Sequence, residues 1–187
     1  DKLTTGAPYF VEMGHSQPSQ LSEEVKEQIR QVTIAANKAI GILNGPSHTE
    51  IKVTNKGPKI VELGARLGGD CIATHLVPLS TGVDIVECSI RIALGEKINL
   101  NPKWNKSAAI RYLRPVVGKI KEIKGIKKAK AVPGVVQVSI VHGVNEQIGE
   151  IKRSIDRAGL VIAQGEKTSD GISIAQKGIE EIEILTE

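Results

Sequence analysis

The chain has 187 residues, enough for one domain of ordinary size or two small ones. Aromatic residues make up only 2% (Tyr9, Phe10, Trp104 and Tyr112), so the core must come from Ile, Val, Leu and Ala, and reading single-stranded nucleic acid by base stacking is disfavoured. The net charge is modest, +4 from 25 basic and 21 acidic residues, and no apolar run reaches the roughly 18 residues a membrane span needs. Cys71 and Cys88 stand apart from any paired-cysteine motif, which argues against a disulfide scaffold and for a reducing, cytoplasmic setting. The first residue is Asp1 rather than Met, and the chain reads as part of something longer.

Residues 8–14 read as a strand with Tyr9, Val11 and Met13 on one face, followed by a polar loop over 15–20. Ser22 is a natural N-cap, with Glu23 and Glu24 in the positive first turn. Val25, Ile29, Val32, Ala36 and Ile40 then form one helical stripe, and Gly41 ends it. Past Gly45-Pro46 the period drops to two, over 48–54 and again over 59–66. Asn55-Lys56-Gly57 between them suits a three-residue hairpin loop with Gly57 at positive φ. Helices are expected at 70–78 and 83–94, the second closed by Gly95. Short strands follow at 108–114, 116–123 and 134–142, a helix at 146–158, and a strand at 159–164. A last helix starts near Ser169, with Ile172, Ala175, Ile179 and Ile182 as its stripe. Both cysteines fall in apolar helical patterns that suit core packing. Six lysines between 119 and 130 read as a solvated face, with anion contact as the alternative.

The hairpin carries the chemistry. If residue 54 pairs with 58, Glu50 faces Glu62 and His48 faces Gly64. Like charges directly opposite one another repel, and a divalent cation held between them reverses that penalty. Arg66 follows four residues after Glu62, near enough to meet an anion held by such a cation, and Gly64 leaves room between them. Gly68-Gly69-Asp70 is a turn whose backbone donors could approach an anion, or a plain strand-to-helix turn with Asp70 as helix cap. Two solvated carboxylates on an exposed sheet face account for the acidic pair equally well.

His48-Thr49-Glu50 followed by Ile60-Val61-Glu62-Leu63-Gly64-Ala65-Arg66-Leu67-Gly68-Gly69-Asp70 resembles the metal-binding end of the ATP-grasp superfamily. The likeness is to carboxylate–amine ligases related to biotin carboxylase, carbamoyl-phosphate synthetase and the L-amino-acid ligases. Residues 5–15 resemble the segment that precedes the motif in that group. The resemblance implies an α+β fold. Residues 1–106 would be the C-terminal portion of the ATP-grasp domain, an antiparallel sheet with packed helices, and 107–187 a small β-rich α+β subdomain.

It further implies ATP and Mg²⁺ (with Mn²⁺ able to substitute) as cofactors, Glu50 and Glu62 as metal and cofactor ligands, and Arg66 as the catalytic arginine that steadies a phosphorylated intermediate. His15, His48, Gly68, Gly69 and Asp70 would border the substrate. Many members carry Asn where this chain has Gly64, so water or a backbone oxygen would complete the metal site. The implied reaction joins a small-molecule carboxylate to an amine or ammonia through an acyl phosphate. The family's glycine-rich loop, phosphate-binding lysines and adenine linker are not recognised in this sequence. The chain alone is therefore expected to be inactive, with a missing N-terminal lobe as its natural partner and an exposed apolar face that favours a homodimer. No nucleic-acid or membrane partner is expected. The alternatives are a non-catalytic interaction or regulatory module of the same fold, and an anion-binding module using the lysine run.

Overall fold

The computed structural model describes residues 1–114 and 116–187. In chain order its elements are β1 (Lys2–Thr4), β2 (Glu12–Gln17), α1 (Glu23–Ala39), β3 (His48–Thr54), β4 (Gly57–Gly64), α2 (Val77–Thr81), α3 (Ile85–Ala93), β5 (Ser107–Tyr112), β6 (Gly118–Lys124), α4 (Ile126–Ala131), β7 (Val135–Ile140), β8 (Gln147–Ile148), β9 (Gly159–Gly165), α5 (Thr168–Glu180) and β10 (Glu183–Thr186). They fall into two compact units. One holds Asp1–Ser19, Leu79–Thr81 and Trp104–Glu187; the other holds Gln20–Pro78 and Gly82–Lys103. The expected division at 106/107 separates β2 from β5, but these strands pair directly, from Gly14↔Arg111 to Gln17↔Ala108. That long-range ladder puts the first 19 residues with the C-terminal half.

In the first unit small apolar residues let two layers approach closely. An antiparallel sheet of order β1-β2-β5-β9-β7 has Ala108, Ala109 and Ile110 of β5 and Val161, Ile162 and Ala163 of β9 fully buried at its centre. Helix α5 lies on it through Ala175, Ile172 and Ile174, which pack with Ala109 and Ala163. Gly178 permits the contact: a Cβ there would stand 2.8 Å from Val161 Cγ1. A smaller sheet, β10-β6-β8, adds Ile120, Ile148 and Ile184 to a second core with Leu113, Ala129 and Val161.

The strand expected at 8–14 lies later, at Glu12–Gln17. Val11 and Met13 are buried as the alternation requires, but Tyr9 and Phe10 are exposed ahead of it. His15 and Ser16, polar and read as loop, are held in the strand by pairing with Ile110 and Ala109. The helix expected at 146–158 is absent. That stretch forms the short β8 and a 3₁₀ turn at Ser154–Asp156, where the Asp156 carboxylate accepts from the amides of Lys152 and Arg153. A carboxylate that satisfies backbone donors locally competes with helix formation. Ile182, expected on the last helical stripe, is buried beyond the end of α5, where the chain enters β10. All six lysines of the 119–130 run are exposed, on β6 and α4.

The second unit follows the expectation more closely. Ser22 Oγ accepts from the Val25 amide (3.4 Å), and α1 lays its half-buried stripe of Val25, Ile29, Val32 and Ala36 toward β4, while Ile40 is exposed beyond its end. Helix α3 is capped by Asp84, whose carboxylate accepts from Val86 and Glu87, and Gly95 at φ +76 closes it. The helix expected at 70–78 begins as a wide π-turn over Ile72–Leu76 and continues as α2 to Thr81. Pro78 lacks the amide that an ordinary α-turn would need there. Its neighbour Val77 bonds instead to the Ile72 carbonyl. No helix among the described residues is long and apolar enough to cross a membrane.

Candidate functional site

The β3–β4 hairpin fixes the acidic pair. Thr54 pairs with Gly57, leaving Asn55 and Lys56 between the paired residues, so the loop is one residue shorter than the sequence suggests. Thr54 Oγ1 accepts from the Lys56 amide (3.1 Å) and donates to the Gly57 carbonyl (2.9 Å), and Gly57 adopts φ +85. The ladder then slips by one residue. Ile51 pairs with Ile60 and Glu50 with Glu62, which leaves Val61 as the extra residue of a bulge. The bulge returns the register to the expected one beyond it: Glu50 faces Glu62, Thr49 faces Leu63 and His48 faces Gly64. Since side chains alternate along a strand, His48, Glu50, Glu62 and Gly64 share one face. The Glu50 side is half-buried and the Glu62 side exposed.

Just past β4 the chain bends back on this face. Arg66 Nη2 lies 3.4 Å from Glu62 Oε1, and Nη1 donates to the Leu67 carbonyl at 3.1 Å. A Cβ on Gly64 would meet Arg66 Cγ at 3.4 Å, so the arginine stem runs along the bare backbone of Gly64. Gly68 lies under His48: a Cβ there would be 2.8 Å from Nδ1. Asp70 and Cys71 follow with φ of +48 and +61, two successive non-glycine residues in the left-handed region. Backbone held in this costly conformation concentrates at functional sites. The sequence carries no local signal for that strain.

The structure thus gathers Glu50, Glu62, Arg66, His48 and Gly68 on one hairpin and the bend that follows. Gly69 has open space where a Cβ would stand, and its carbonyl accepts from Ile72. Asp70 does not cap the following helical turn; Cys71 holds the cap position, with no side-chain cap bond. His15 belongs to the other unit, in β2, and is 9% exposed, a strand residue rather than a loop residue. His75 hydrogen-bonds Thr74 Oγ1 within the π-turn, and His142 hydrogen-bonds Glu146 beyond β7. That bond is the main cause holding the Glu146 carboxyl below its ordinary range, followed by the Gly143 amide. Neither cysteine forms a disulfide, and both are half-buried rather than core residues.

No group of three or more His, Cys, Asp and Glu among the described residues converges on a point that could hold a metal. The hairpin offers two carboxylates. Mg²⁺ fits such a donor set, since it is commonly held by one or two carboxylates plus phosphate oxygens and water. A groove of about 360 Å³ in the same unit, at the start of α3, was not anticipated. Its Arg91 is paired with Glu87 (2.8 Å) and Glu96 (3.0 Å).

Residues 1–74, which contain the whole hairpin and the bend after it, match the ATP-grasp domain model. Residues 111–187 match the model for L-amino acid ligase C-terminal domain 2. The chain resembles the C-terminal part of an ATP-grasp superfamily ligase. It is 31% identical over 177 residues to the uncharacterized protein y4rH of Sinorhizobium fredii, covering 94% of this chain and 37% of that protein. It is 29% identical over 168 residues to phosphoribosylamine–glycine ligase of Methanococcus maripaludis, covering 86% of this chain and 37% of that enzyme. The crystal structure of phosphoribosylglycinamide synthetase from Anaerococcus prevotii superposes with a TM-score of 0.84 at 23% identity, over 100% of this chain and 48% of that one, which establishes the ATP-grasp fold. The chain spans a little over a third of the length of these two curated relatives.

Proposed function

We propose that this chain forms the metal- and substrate-facing end of an ATP-dependent ligase that joins a small carboxylate to an amine or ammonia through an acyl phosphate. The single observation that carries this is the opposition of Glu50 and Glu62 across the hairpin with Arg66 beside them, inside the segment that matches the ATP-grasp model. Magnesium, when bound, offsets the charge that develops on a transferring phosphoryl group. The two carboxylates supply its protein oxygens, Arg66 offers a guanidinium to the same anionic centre, and His48 and the Gly68–Asp70 bend border the space around it. No side chain acts as nucleophile: the chain's contribution is placement of charge. An amino-acid substrate is favoured by the match of the C-terminal residues to an L-amino acid ligase domain.

The rest of the nucleotide site would come from the N-terminal lobe of a longer ligase. We assign the exposed Ile34, Ile40, Leu43 and Val61 to the surface that lobe covers, with a second copy of this chain as its competitor when the chain is alone. Two cysteines outside any disulfide suit a reducing, cytoplasmic compartment. Gly64, where the resemblance to the ATP-grasp superfamily implies Asn, favours a second reading: the same fold retained as a non-catalytic module. The test is ATP hydrolysis with Mg²⁺ and mixed amino acids by the longest protein that carries this chain, wild type beside Glu62→Gln. Amino-acid-stimulated turnover that the variant loses is the expected result. Equal turnover in both refutes the assignment of the acidic pair, and a wild type that neither binds ADP with Mg²⁺ nor turns over supports the module.

A further inference from the structure

Glu62 faces Glu50, and like charges so placed raise each other's energy. Arg66 relieves that repulsion, with Nη2 3.4 Å from Glu62 Oε1. The contact is a loose one. Both side chains are more than half exposed (58% and 61%), and ion pairs in that setting contribute little and break easily. The guanidinium has a second tether, from Nη1 to the Leu67 carbonyl at 3.1 Å, which does not involve Glu62. Its stem lies along Gly64, whose missing side chain leaves it free to swing.

From this geometry we infer that Arg66 is the resting counter-ion of Glu62 and exchanges with a divalent cation there. The inference rests on the reading above, that Glu50 and Glu62 hold the cation. A divalent ion shared by both carboxylates would compete for the carboxylate that Nη2 now faces and would repel the guanidinium. Arg66 then pivots about the Leu67 carbonyl, and Nη2 becomes available to an anion brought in with the ion. The same arginine is thus held off its anion until the cation is in place, which orders binding without a moving domain.

The experiment is titration of MnCl₂ into the 187-residue chain, read by water-proton relaxation, for wild type, Arg66→Gln and Glu62→Gln. A parallel MgCl₂ titration follows the Arg66 Nε–H resonance in wild type. Removing a unit charge a few ångströms from a divalent ion, together with its competition for the oxygen, predicts about three- to tenfold tighter Mn²⁺ binding by Arg66→Gln. Glu62→Gln should abolish saturable binding, and the Nε–H signal should move as Mg²⁺ saturates. Glu62-dependent binding that Arg66→Gln leaves unchanged or weakens, or an Nε–H signal that stays put through saturation, overturns the exchange and leaves the metal site standing. No saturable binding, or binding indifferent to Glu62→Gln, overturns the metal site and the exchange together.

Discussion

Replacing Gly68 with Ala tests the geometry of the bend against a competing effect of opposite sign. The backbone there is not in the left-handed region, so alanine brings no conformational strain and should stabilise by reducing unfolded-state entropy, by about 0.4–1 kcal/mol. Against this, its Cβ would stand 2.8 Å from His48 Nδ1 and 3.1 Å from Cε1, well inside ordinary van der Waals contact. His48 is half-buried at the end of β3, and overpacking at such a site costs about 1–3 kcal/mol. The clash therefore wins, with a net loss of about 1 kcal/mol after the two opposing terms are combined. Urea denaturation of wild type, Gly68→Ala, His48→Ala and the double variant measures it. In the His48→Ala background Gly68→Ala should become mildly stabilising, giving a coupling energy of about 1–3 kcal/mol, the whole of the clash, because the entropy gain is common to both backgrounds. Additive single effects, or a Gly68→Ala variant more stable than wild type, would show that His48 does not rest on Gly68.

Gly178→Ala should destabilise by about 1–3 kcal/mol in thermal unfolding, although alanine is the better helix former, because its Cβ would press within 2.8 Å of Val161 and 3.2 Å of Val135. Asp84→Ala should cost about 1 kcal/mol and lower helical content by circular dichroism, since two α3 amides lose their acceptor. Asp156 is held below its ordinary carboxyl range first by the hydrogen bond from Arg153 and then by the Lys152 amide. A depressed folded pKa means the stabilisation is present above the unfolded value of about 3.9 and is lost as pH falls through the folded one. Hydrogen exchange at the Lys152 and Arg153 amides should accordingly show protection that holds from neutral pH down to about 3.9 and disappears only as the pH falls further, through the lowered folded-state value. Protection that persists in acid would break the link to Asp156.

The acidic hairpin was legible because alternation and turn composition are local. Even so, the expected opposition of Glu50 and Glu62 arises by a different route. The loop is one residue shorter than Asn55-Lys56-Gly57 implies, and the bulge at Val61 restores the difference. Nothing in the run Ile60-Val61-Glu62 announces a bulge, since its cause lies in how the whole strand sits. The positive φ angles of Asp70 and Cys71 were likewise invisible, because neither residue type demands them.

Short-range chemistry was decided by the amino-acid order alone. The Ser22 cap and stripe of α1, the glycine end of α3 and the period-two hairpin each depend on residues within a few positions of one another. Tertiary structure alone decided the rest. Polar His15 and Ser16 become strand because β5, remote in sequence, offers a ladder in which they pair with Ile110 and Ala109. Residues 147–148 are drawn from the expected helix into a ladder with β6, which leaves Ile148 3% exposed and Ile155 71% exposed. Where a segment's hydrogen-bond partner or apolar contact is remote, its own residues hold only half of the interaction, and the other half arrives with the fold.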